Sequence, residues 1–214
     1  ADVPSRLIAV PKTAKGPRLI ASEPTSNQWC QQMILGYLHR STKAYRSIVN
    51  IKDQEPSRAM VMSASRDQSL ATIDLSSASD RLSCSVVERF FASRPDILAA
   101  LNAVRTPYIS NDIPGTGKFL LKSKKYASQG TACTFPVQSY IFALIAMAAC
   151  GYTSVGQAKG KVRVFGDDII VPREHVGKVV SLLTILGLKV NTKKSFSIGK
   201  FRESCGQDAY NGYD

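Results

Sequence analysis

The sequence is poor in the residues that build most hydrolase and zinc sites. It has only two histidines, His39 and His175, so neither a Ser-His-Asp triad nor a multi-histidine metal site is expected. Its five cysteines are odd in number and none forms a Cys-x-x-Cys pair, which argues against a zinc ribbon or a disulfide framework and favours a reducing, intracellular setting. Any chemistry is therefore expected to rest on carboxylates, lysines and arginines.

Long apolar runs are also absent. The most apolar stretch, 135–150, is interrupted by Gln138, Ser139 and Tyr140, and it is shorter than the roughly 20 residues that a spanning helix needs. No membrane span is therefore predicted. The chain begins without Met and ends at Asp214 without a closing element, which predicts an excerpt of a longer chain.

Acidic residues are scarce relative to basic ones. The 28 Lys and Arg against 16 Asp and Glu give a net charge of +12. Such an excess favours a polyanionic partner, with nucleic acid first and an anionic membrane surface second, while a merely soluble basic protein is the alternative. With 44% hydrophobic residues, the 214-residue chain can build the core of one large or two small domains.

Apolar runs and turn residues alternate in a pattern that predicts a mixture of strands and helices. Helices are predicted from Thr25 or Ser26 to Arg40 and at 80–92, 95–105, 134–150 and 174–186. Strands are predicted at 7–10, 19–21, 70–75, 118–126, 162–165, 169–171 and 188–190, with a last hairpin after Lys194. The stretch 43–69 is polar and predicted to be mostly loop. The first helix is predicted to bury Trp29, Met33, Leu35 and Leu38.

Three aspartates stand where predicted strands end. Gly166-Asp167-Asp168 lies between two apolar runs and predicts a tight β-hairpin, although such turns are also common on surfaces. Asp74 ends the strand predicted at 70–75. If both elements belong to one sheet, the three carboxylates converge and form a hard-oxygen site suited to Mg²⁺ or Mn²⁺. Two such ions would activate an attacking hydroxyl and stabilise a leaving pyrophosphate, as in polymerases, nucleases and phosphatases.

Two basic segments complement the carboxylates. Lys12, Lys15 and Arg18 lie in a Pro- and Gly-containing loop, where they could clamp nucleotide phosphates or form a solvated face. Four lysines between 118 and 125 interleave with Phe119, Leu120 and Tyr126. This second pattern fits either stacking on a nucleic-acid strand or an ordinary amphipathic strand.

The order of these segments resembles the ordered motifs of viral RNA-directed RNA polymerases, and it is most similar to the replicases of single-stranded RNA bacteriophages, the leviviruses. The resemblance covers nearly the whole chain. It is carried by the basic loop at 11–24, Asp74-Leu75-Ser76-Ser77-Ala78-Ser79-Asp80, Ser128-Gln129-Gly130-Thr131-Ala132-Cys133-Thr134-Phe135, Phe165-Gly166-Asp167-Asp168 and the pair Lys193-Lys194.

The resemblance implies a catalytic set. Asp74, Asp167 and Asp168 would hold Mg²⁺, with Mn²⁺ as a substitute. Lys193 or Lys194 would be the general acid that protonates pyrophosphate, and the sequence does not choose between them.

The resemblance also implies a set of residues that bind the nucleotide. Lys12, Lys15 and Arg18 would touch the triphosphate, and Asp80 would recognise the ribose hydroxyls. Gly130 and Thr134 would form the flexible loop and helix start that hold template and nucleotide, and the segment 201–213 would grip the primer or nascent strand. Many RNA polymerases carry Ser before this Gly and Asn four residues after this Thr, where the present chain has Gln129 and Gln138.

The implied fold is an α+β polymerase palm with an antiparallel sheet backed by helices, plus part of the fingers and without the thumb. Residues 1–69 would form the fingers portion, and residues 70–214 the palm, with a finger insertion around 106–127. The implied partners are template and nascent RNA, nucleoside triphosphates, and, in the host, elongation factors Tu and Ts and a ribosomal protein. No membrane is involved, and the implied location is the cytoplasm of an infected bacterial host.

Two other functions remain open at this point. A reverse transcriptase-like palm polymerase would share the carboxylates but use deoxyribonucleotides. A basic RNA-binding module without catalysis would share the net charge but would not need Asp74 or Asp167. A fragment without the thumb can also fold and bind RNA without copying it.

Overall fold

The computed structural model describes residues 3–13 and 16–214 and mixes helices with strands, so the predicted α+β class is confirmed. The strands are β1 (Ser5–Thr13), β2 (Gly16–Ser22), β3 (Leu70–Asp74), β4 (Tyr108–Asn111), β5 (Phe119–Lys122), β6 (Arg163–Phe165), β7 (Asp168–Pro172), β8 (Phe201–Ser204) and β9 (Gln207–Tyr210). The α-helices are α1 (Thr25–Ser41), α2 (Glu55–Asp67), α3 (Ala78–Arg81), α4 (Cys84–Phe90), α5 (Pro95–Ala103), α6 (Thr134–Ala149), α7 (Val155–Ala158) and α8 (Val176–Ile185). Short 3-10 helices cover Lys43–Tyr45 and Arg173–His175.

The chain divides into two compact units. The first joins Ala1–Leu38 to Ser79–Phe135, and the second joins His39–Ala78 to Pro136–Asp214. The first unit contains a four-stranded sheet in the order β2-β1-β4-β5, in which β1 pairs antiparallel with β2 and parallel with β4. The predicted hairpin at the start of the chain is therefore confirmed, as is a strand within 118–126.

The second unit contains a three-stranded antiparallel sheet in the order β3-β7-β6. Its central strand is apolar and buried from Ile169 onward, as expected for a strand covered on both faces. The strands predicted at 70–75 and on either side of Gly166 are confirmed. The segment predicted as a strand at 188–190 instead makes a single bridge, between Val190 and Leu75.

The hairpin β8–β9 completes the second unit and packs against α2. Arg202 on β8 is fully buried, and its guanidinium donates to three backbone carbonyls: Nε to Leu70 at 2.7 Å, and Nη1 to Gly199 at 2.9 Å and Phe201 at 2.6 Å. Burial lowers the pKa of this arginine, since desolvation disfavours the charged form. The buried cation therefore fastens β8 to the first residue of β3.

Helix α2 was not expected, because the prediction of loop over 43–69 rested on the polar composition of that stretch. Its buried face is made of small residues, Ser57, Val61, Ala64 and Ser65, so no apolar stripe marks it in the sequence. Pro56 in the first turn and the left-handed Gln68 at the end, with φ 58°, delimit the helix.

Two other helix predictions need correction. The helix predicted at 80–92 is two helices, because Ser83 is extended and caps α4 by accepting a hydrogen bond from the Val86 amide at 3.3 Å. In α1, Trp29 and Met33 are exposed rather than buried, whereas Leu38 is buried as predicted. The buried position nearby belongs to Gln31, a polar residue that the apolar pattern could not indicate.

No helix within residues 3–13 and 16–214 is long and apolar enough to cross a membrane.

The buried Arg202 provides a test of the fold. Replacing it in Arg202→Met leaves three carbonyls without their donor, and we expect the free energy of unfolding to fall by about 2–4 kcal/mol. Urea unfolding followed by circular dichroism measures the change. Arg89→Ala, at an exposed position on α4, is the control and should change stability by less than about 0.5 kcal/mol. Equal stability of both variants would contradict the role of Arg202.

Candidate active site

The register of two strands positions the first two predicted carboxylates. Strands β3 and β7 pair over five residues, from Leu70 with Pro172 to Asp74 with Asp168. Directly paired residues of antiparallel strands have Cβ atoms about 4.5–5.5 Å apart and face the same side of the sheet. Asp74 and Asp168 thus lie side by side at the end of the sheet, as the sequence predicts.

The third carboxylate belongs to the turn between β6 and β7. Gly166 has φ 64°, in the left-handed region that glycine adopts without strain. Its amide donates a hydrogen bond of 2.9 Å to the buried hydroxyl of Ser139 on α6. The turn is therefore anchored to helix α6 through Gly166. The next residue of the turn, Asp167, is exposed.

The electrostatics of this end of the sheet are unfavourable for negative charge. Burial raises the pKa of Asp168 to about 6, and the neighbouring charge of Asp167 adds to the effect. Burial also raises the pKa of Asp74, against the opposing hydrogen bond from Asn191, and Asp167 again adds to the rise. Like charges crowded into a partly buried position indicate a site that a cation would stabilise.

A segment after α8 supports Asp74. Asn191 donates from Nδ2 to Asp74 Oδ2 at 2.8 Å, and its amide donates to the Asp74 carbonyl at 2.9 Å. The Ser195 hydroxyl accepts from the Asp74 amide at 3.1 Å and donates to the Asn191 carbonyl at 2.8 Å. Sequence reasoning missed Asn191, Ser195 and Ser139, because each acts through contacts across the fold and belongs to no motif.

Lys194 lies in the electric field of the carboxylates. Its ammonium donates to Glu203 Oε1 on β8 at 3.1 Å. Glu203 raises the pKa of Lys194, and the charges of Asp74 and Asp168 raise it further. Lys193 is exposed on the same segment. The structure thus links Lys194 to the aspartates, whereas the sequence did not choose between Lys193 and Lys194.

The donor set suits Mg²⁺ or Mn²⁺ in chemistry, since all three candidates are hard carboxylate oxygens. In the part of the chain that the structure describes, no group of three or more His, Cys, Asp or Glu side chains is arranged to hold a metal ion. Mg²⁺ in nucleotide sites is commonly held by one or two carboxylates together with substrate phosphates and water. The pair Asp74 and Asp168, with Asp167 beside them, fits that requirement.

The residues predicted to bind nucleotide lie in the first unit. Arg18 is exposed on β2, opposite Val10 in the pairing with β1. The side chain of Lys12 and the whole of Lys15 lie outside the described residues. Asp80 on α3 is exposed and forms an ion pair with Lys125.

The predicted loop at 128–135 is tightly built. Gly130 has φ 118°, and a Cβ at this position would come within 2.1 Å of the Ala21 carbonyl oxygen, so only glycine fits. Thr134 is buried and donates from its hydroxyl to the Ser128 carbonyl at 2.9 Å. Glu23 accepts from Thr131, Thr106 and Gln31 and fastens the loop to β2 and α1.

Gln129 and Gln138, the two departures from the polymerase pattern, have different surroundings. The carbonyl of Gln129 accepts the amide of Ala21 at 2.7 Å. Gln138 is buried, and its Oε1 has no hydrogen-bond partner among the described residues.

Comparison with known sequences gives one family. The model described as "RNA replicase, beta-chain" matches residues 2–214. The RNA-directed RNA polymerase beta chain of Enterobacteria phage fr is 34% identical over 208 residues, which is 97% of this chain and 36% of that protein. The RNA-directed RNA polymerase subunit beta of Escherichia virus Qbeta is 33% identical over 210 residues, or 98% of this chain and 34% of that protein.

Solved structures with the same fold include polymerases of several kinds. Telomerase from Candida albicans aligns with a TM-score of 0.65 at 13% identity, over 97% of this chain and 44% of that one. The RNA-dependent RNA polymerase of bacteriophage phi12 aligns with a TM-score of 0.56 at 16% identity, over 86% of this chain and 35% of that one. At these identities the likeness concerns the fold.

The crowding of the carboxylates can be measured directly. In Asp167→Asn, the loss of a like charge should lower the pKa of Asp168 from about 6, though not to the value of a free aspartate, because burial is the larger cause. Titration by ¹³C NMR of the carboxyl carbons, in buffer with a chelator, measures the shift. Asp208→Asn, at an exposed position on β9, should leave the pKa unchanged. An unaltered value in Asp167→Asn would refute the electrostatic coupling.

Proposed function

Because the chain belongs to the RNA replicase beta-chain family, we propose that it carries the catalytic core of a bacteriophage RNA-directed RNA polymerase. The reaction joins a nucleoside triphosphate to the 3′-hydroxyl of a growing RNA on an RNA template and releases pyrophosphate. The observation that carries the proposal is the pairing of Asp74 with Asp168 beside Asp167. The chain spans about a third of the length of the relatives named above, so the activity is proposed for the protein of which this segment is part.

The three aspartates are the ligands that we propose for divalent cations. Asp74, Asp167 and Asp168 would hold Mg²⁺, or Mn²⁺ in its place. Bound cations would lower the pKa of the attacking hydroxyl and neutralise charge on the leaving pyrophosphate. Asn191 directs Oδ2 of Asp74 by a hydrogen bond, and Ser139 fixes the turn that carries Asp167. Both reduce the freedom of the carboxylates before substrate binds.

Of the two candidate general acids, we propose Lys194. The coupling of Lys194 to Asp74 and Asp168 supports this choice. The Lys194 ammonium would neutralise charge on the pyrophosphate and then donate a proton to its oxygen. Glu203 orients the ammonium from β8.

The nucleotide-binding roles of Lys12, Lys15, Arg18, Asp80, Gly130 and Thr134 remain part of the proposal. Arg18 would contact the triphosphate and Asp80 the ribose. The rigid packing of Gly130 and the buried hydroxyl of Thr134 favour a supporting role, in which both residues shape the loop that receives template and nucleotide.

The domain assignment follows from the same proposal. We assign the palm to the unit with the carboxylate sheet, and a portion of the fingers to the unit with the four-stranded sheet. The sequence-based division at residues 69 and 70, with a finger insertion around 106–127, stays a prediction, as does the absence of a thumb.

The partners are proposed on the same footing. RNA template, nascent RNA and nucleoside triphosphates follow from the reaction, and the net charge of +12 supports contacts with phosphates. Elongation factors Tu and Ts, a ribosomal protein and a location in the bacterial cytoplasm rest on the resemblance to levivirus replicases.

Primer extension by the full-length parent replicase tests the function. Asp74→Ala and Asp167→Ala should each reduce ribonucleotide incorporation by about a thousandfold or more, since each removes a charge that acts in the transition state. Asp112→Ala, at an exposed position after β4, should retain full incorporation. Circular dichroism checks that every variant is folded.

Three outcomes would contradict the proposal. Full activity in Asp74→Ala or Asp167→Ala would favour the non-catalytic RNA-binding module. Preferential incorporation of deoxyribonucleotides by the unmodified enzyme would favour the reverse transcriptase. Loss of activity in Asp112→Ala to the same degree would show that the effect is not specific to the site.

A further inference from the structure

Asp80 has a charged partner that sequence motifs do not indicate. The Lys125 ammonium donates to Asp80 Oδ1, across 45 residues of sequence. The side chain of Lys125 is 26% exposed and that of Asp80 is 48% exposed. Lys125 is thus partly covered, while the carboxylate it meets is open to a ligand.

The backbone that carries Lys125 is fastened by an arginine. Arg105, just after α5, donates from Nε to the Tyr126 carbonyl at 2.6 Å. Its Nη2 donates to the carbonyls of Ser123 at 2.7 Å and Lys125 at 3.0 Å. One planar guanidinium therefore fixes three carbonyls within four residues, a geometry for which its rigid fork of donors is suited.

The same segment is bonded to the connection between α3 and α4. The Tyr126 amide donates to the Leu82 carbonyl at 2.8 Å, and the Cys84 amide donates to the Lys124 carbonyl at 3.2 Å. Leu82 and Tyr126 are both buried. Lys125 is consequently fixed beside the helix of Asp80, and its ion pair is a built feature of the first unit.

Half-exposed ion pairs add little to stability, with typical values of about 0–1 kcal/mol. The consequence of this pair is instead geometric. Because Lys125 binds Oδ1, it fixes the rotamer of Asp80 and with it the direction in which Oδ2 points. We propose that Lys125 is a positioning residue for sugar selection: it holds the Asp80 carboxylate oriented so that Oδ2 accepts a hydrogen bond from the ribose 2′-hydroxyl of the incoming nucleotide. This inference rests on the function proposed above.

Selection between the two sugars follows from Oδ2 of Asp80, the carboxylate oxygen that Lys125 does not bind in this ion pair. A ribonucleotide supplies the 2′-hydroxyl donor to Asp80, whereas a 2′-deoxyribonucleotide leaves a desolvated carboxylate oxygen without one. The free-energy penalty for binding the deoxyribonucleotide is large only if the Asp80 carboxylate cannot turn towards another donor. Lys125 prevents that turn, so its removal relaxes the discrimination between the sugars.

Single-nucleotide incorporation by the full-length parent replicase provides the test. We expect Lys125→Met to lower the ratio of kcat/KM for ribonucleotide over 2′-deoxyribonucleotide by about tenfold, through a higher KM for the ribonucleotide with little change in kcat. Lys125→Arg should restore most of the ratio, because it retains the charge. Lys178→Met, at an exposed position on α8, matches the change in net charge and should leave the ratio unaltered. Asp80→Asn should lose discrimination to a similar degree, and the double variant with Lys125→Met should lose no more.

The outcomes separate this inference from the function on which it rests. An unchanged ratio in Lys125→Met, with an active enzyme, overturns the role of Lys125 and leaves the polymerase intact. An equal loss for both nucleotides also overturns it, since that is the result of a merely structural lysine. An unmodified parent enzyme that incorporates no ribonucleotide on an RNA template overturns the proposed function itself.

Discussion

The pairing register of β3 with β7 is the constraint on which the site depends. Five backbone pairs end at Asp74 and Asp168, and a slip by one residue would turn one of these side chains to the opposite face. The register is stabilised by burial, because Ala71, Ile73, Ile169 and Val171 are all inaccessible to solvent. The apolar part of the sheet thus holds two carboxylates together although their charges repel. Asn191, Ser195 and Ser139 then refine the position that the register determines.

Buried arginines have a structural role that the net charge conceals. Arg202 fastens β8 to β3, and Arg163 donates to the carbonyls of Arg46 at 2.8 Å and Asp53 at 3.1 Å from a side chain that is 3% exposed. Arg105 performs a similar task in the first unit. These cations are directed at backbone carbonyls, so part of the +12 charge shapes the scaffold. The cations that we propose to contact phosphates are exposed ones, such as Arg18 and Lys194.

The β3-β7-β6 sheet of the second unit could be predicted from the sequence, because its strands are short apolar runs flanked by aspartates. Helix α2 could not, since its buried face consists of serines, an alanine and one valine in place of a stripe of large apolar residues. The exposure of Trp29 and the burial of Gln31 could not be predicted either. Gln31 is paired with Glu23 and with two partners that are distant in sequence, the Val104 carbonyl and the Ala132 amide. For the site, the motifs predicted the three carboxylates, and the strand register places Asp74 opposite Asp168. Their supporting residues depend on tertiary contacts that have no local signature.

The central claim is that Asp74 and the Asp167-Asp168 turn form one binding site for divalent cations. Anomalous diffraction from crystals of the full-length parent replicase soaked with Mn²⁺ tests it most directly. We expect an anomalous peak within coordination distance of a carboxylate oxygen of Asp74 and of at least one of the other two aspartates. Mn²⁺ bound elsewhere, with these three carboxylates free of metal at a saturating concentration, would contradict the account.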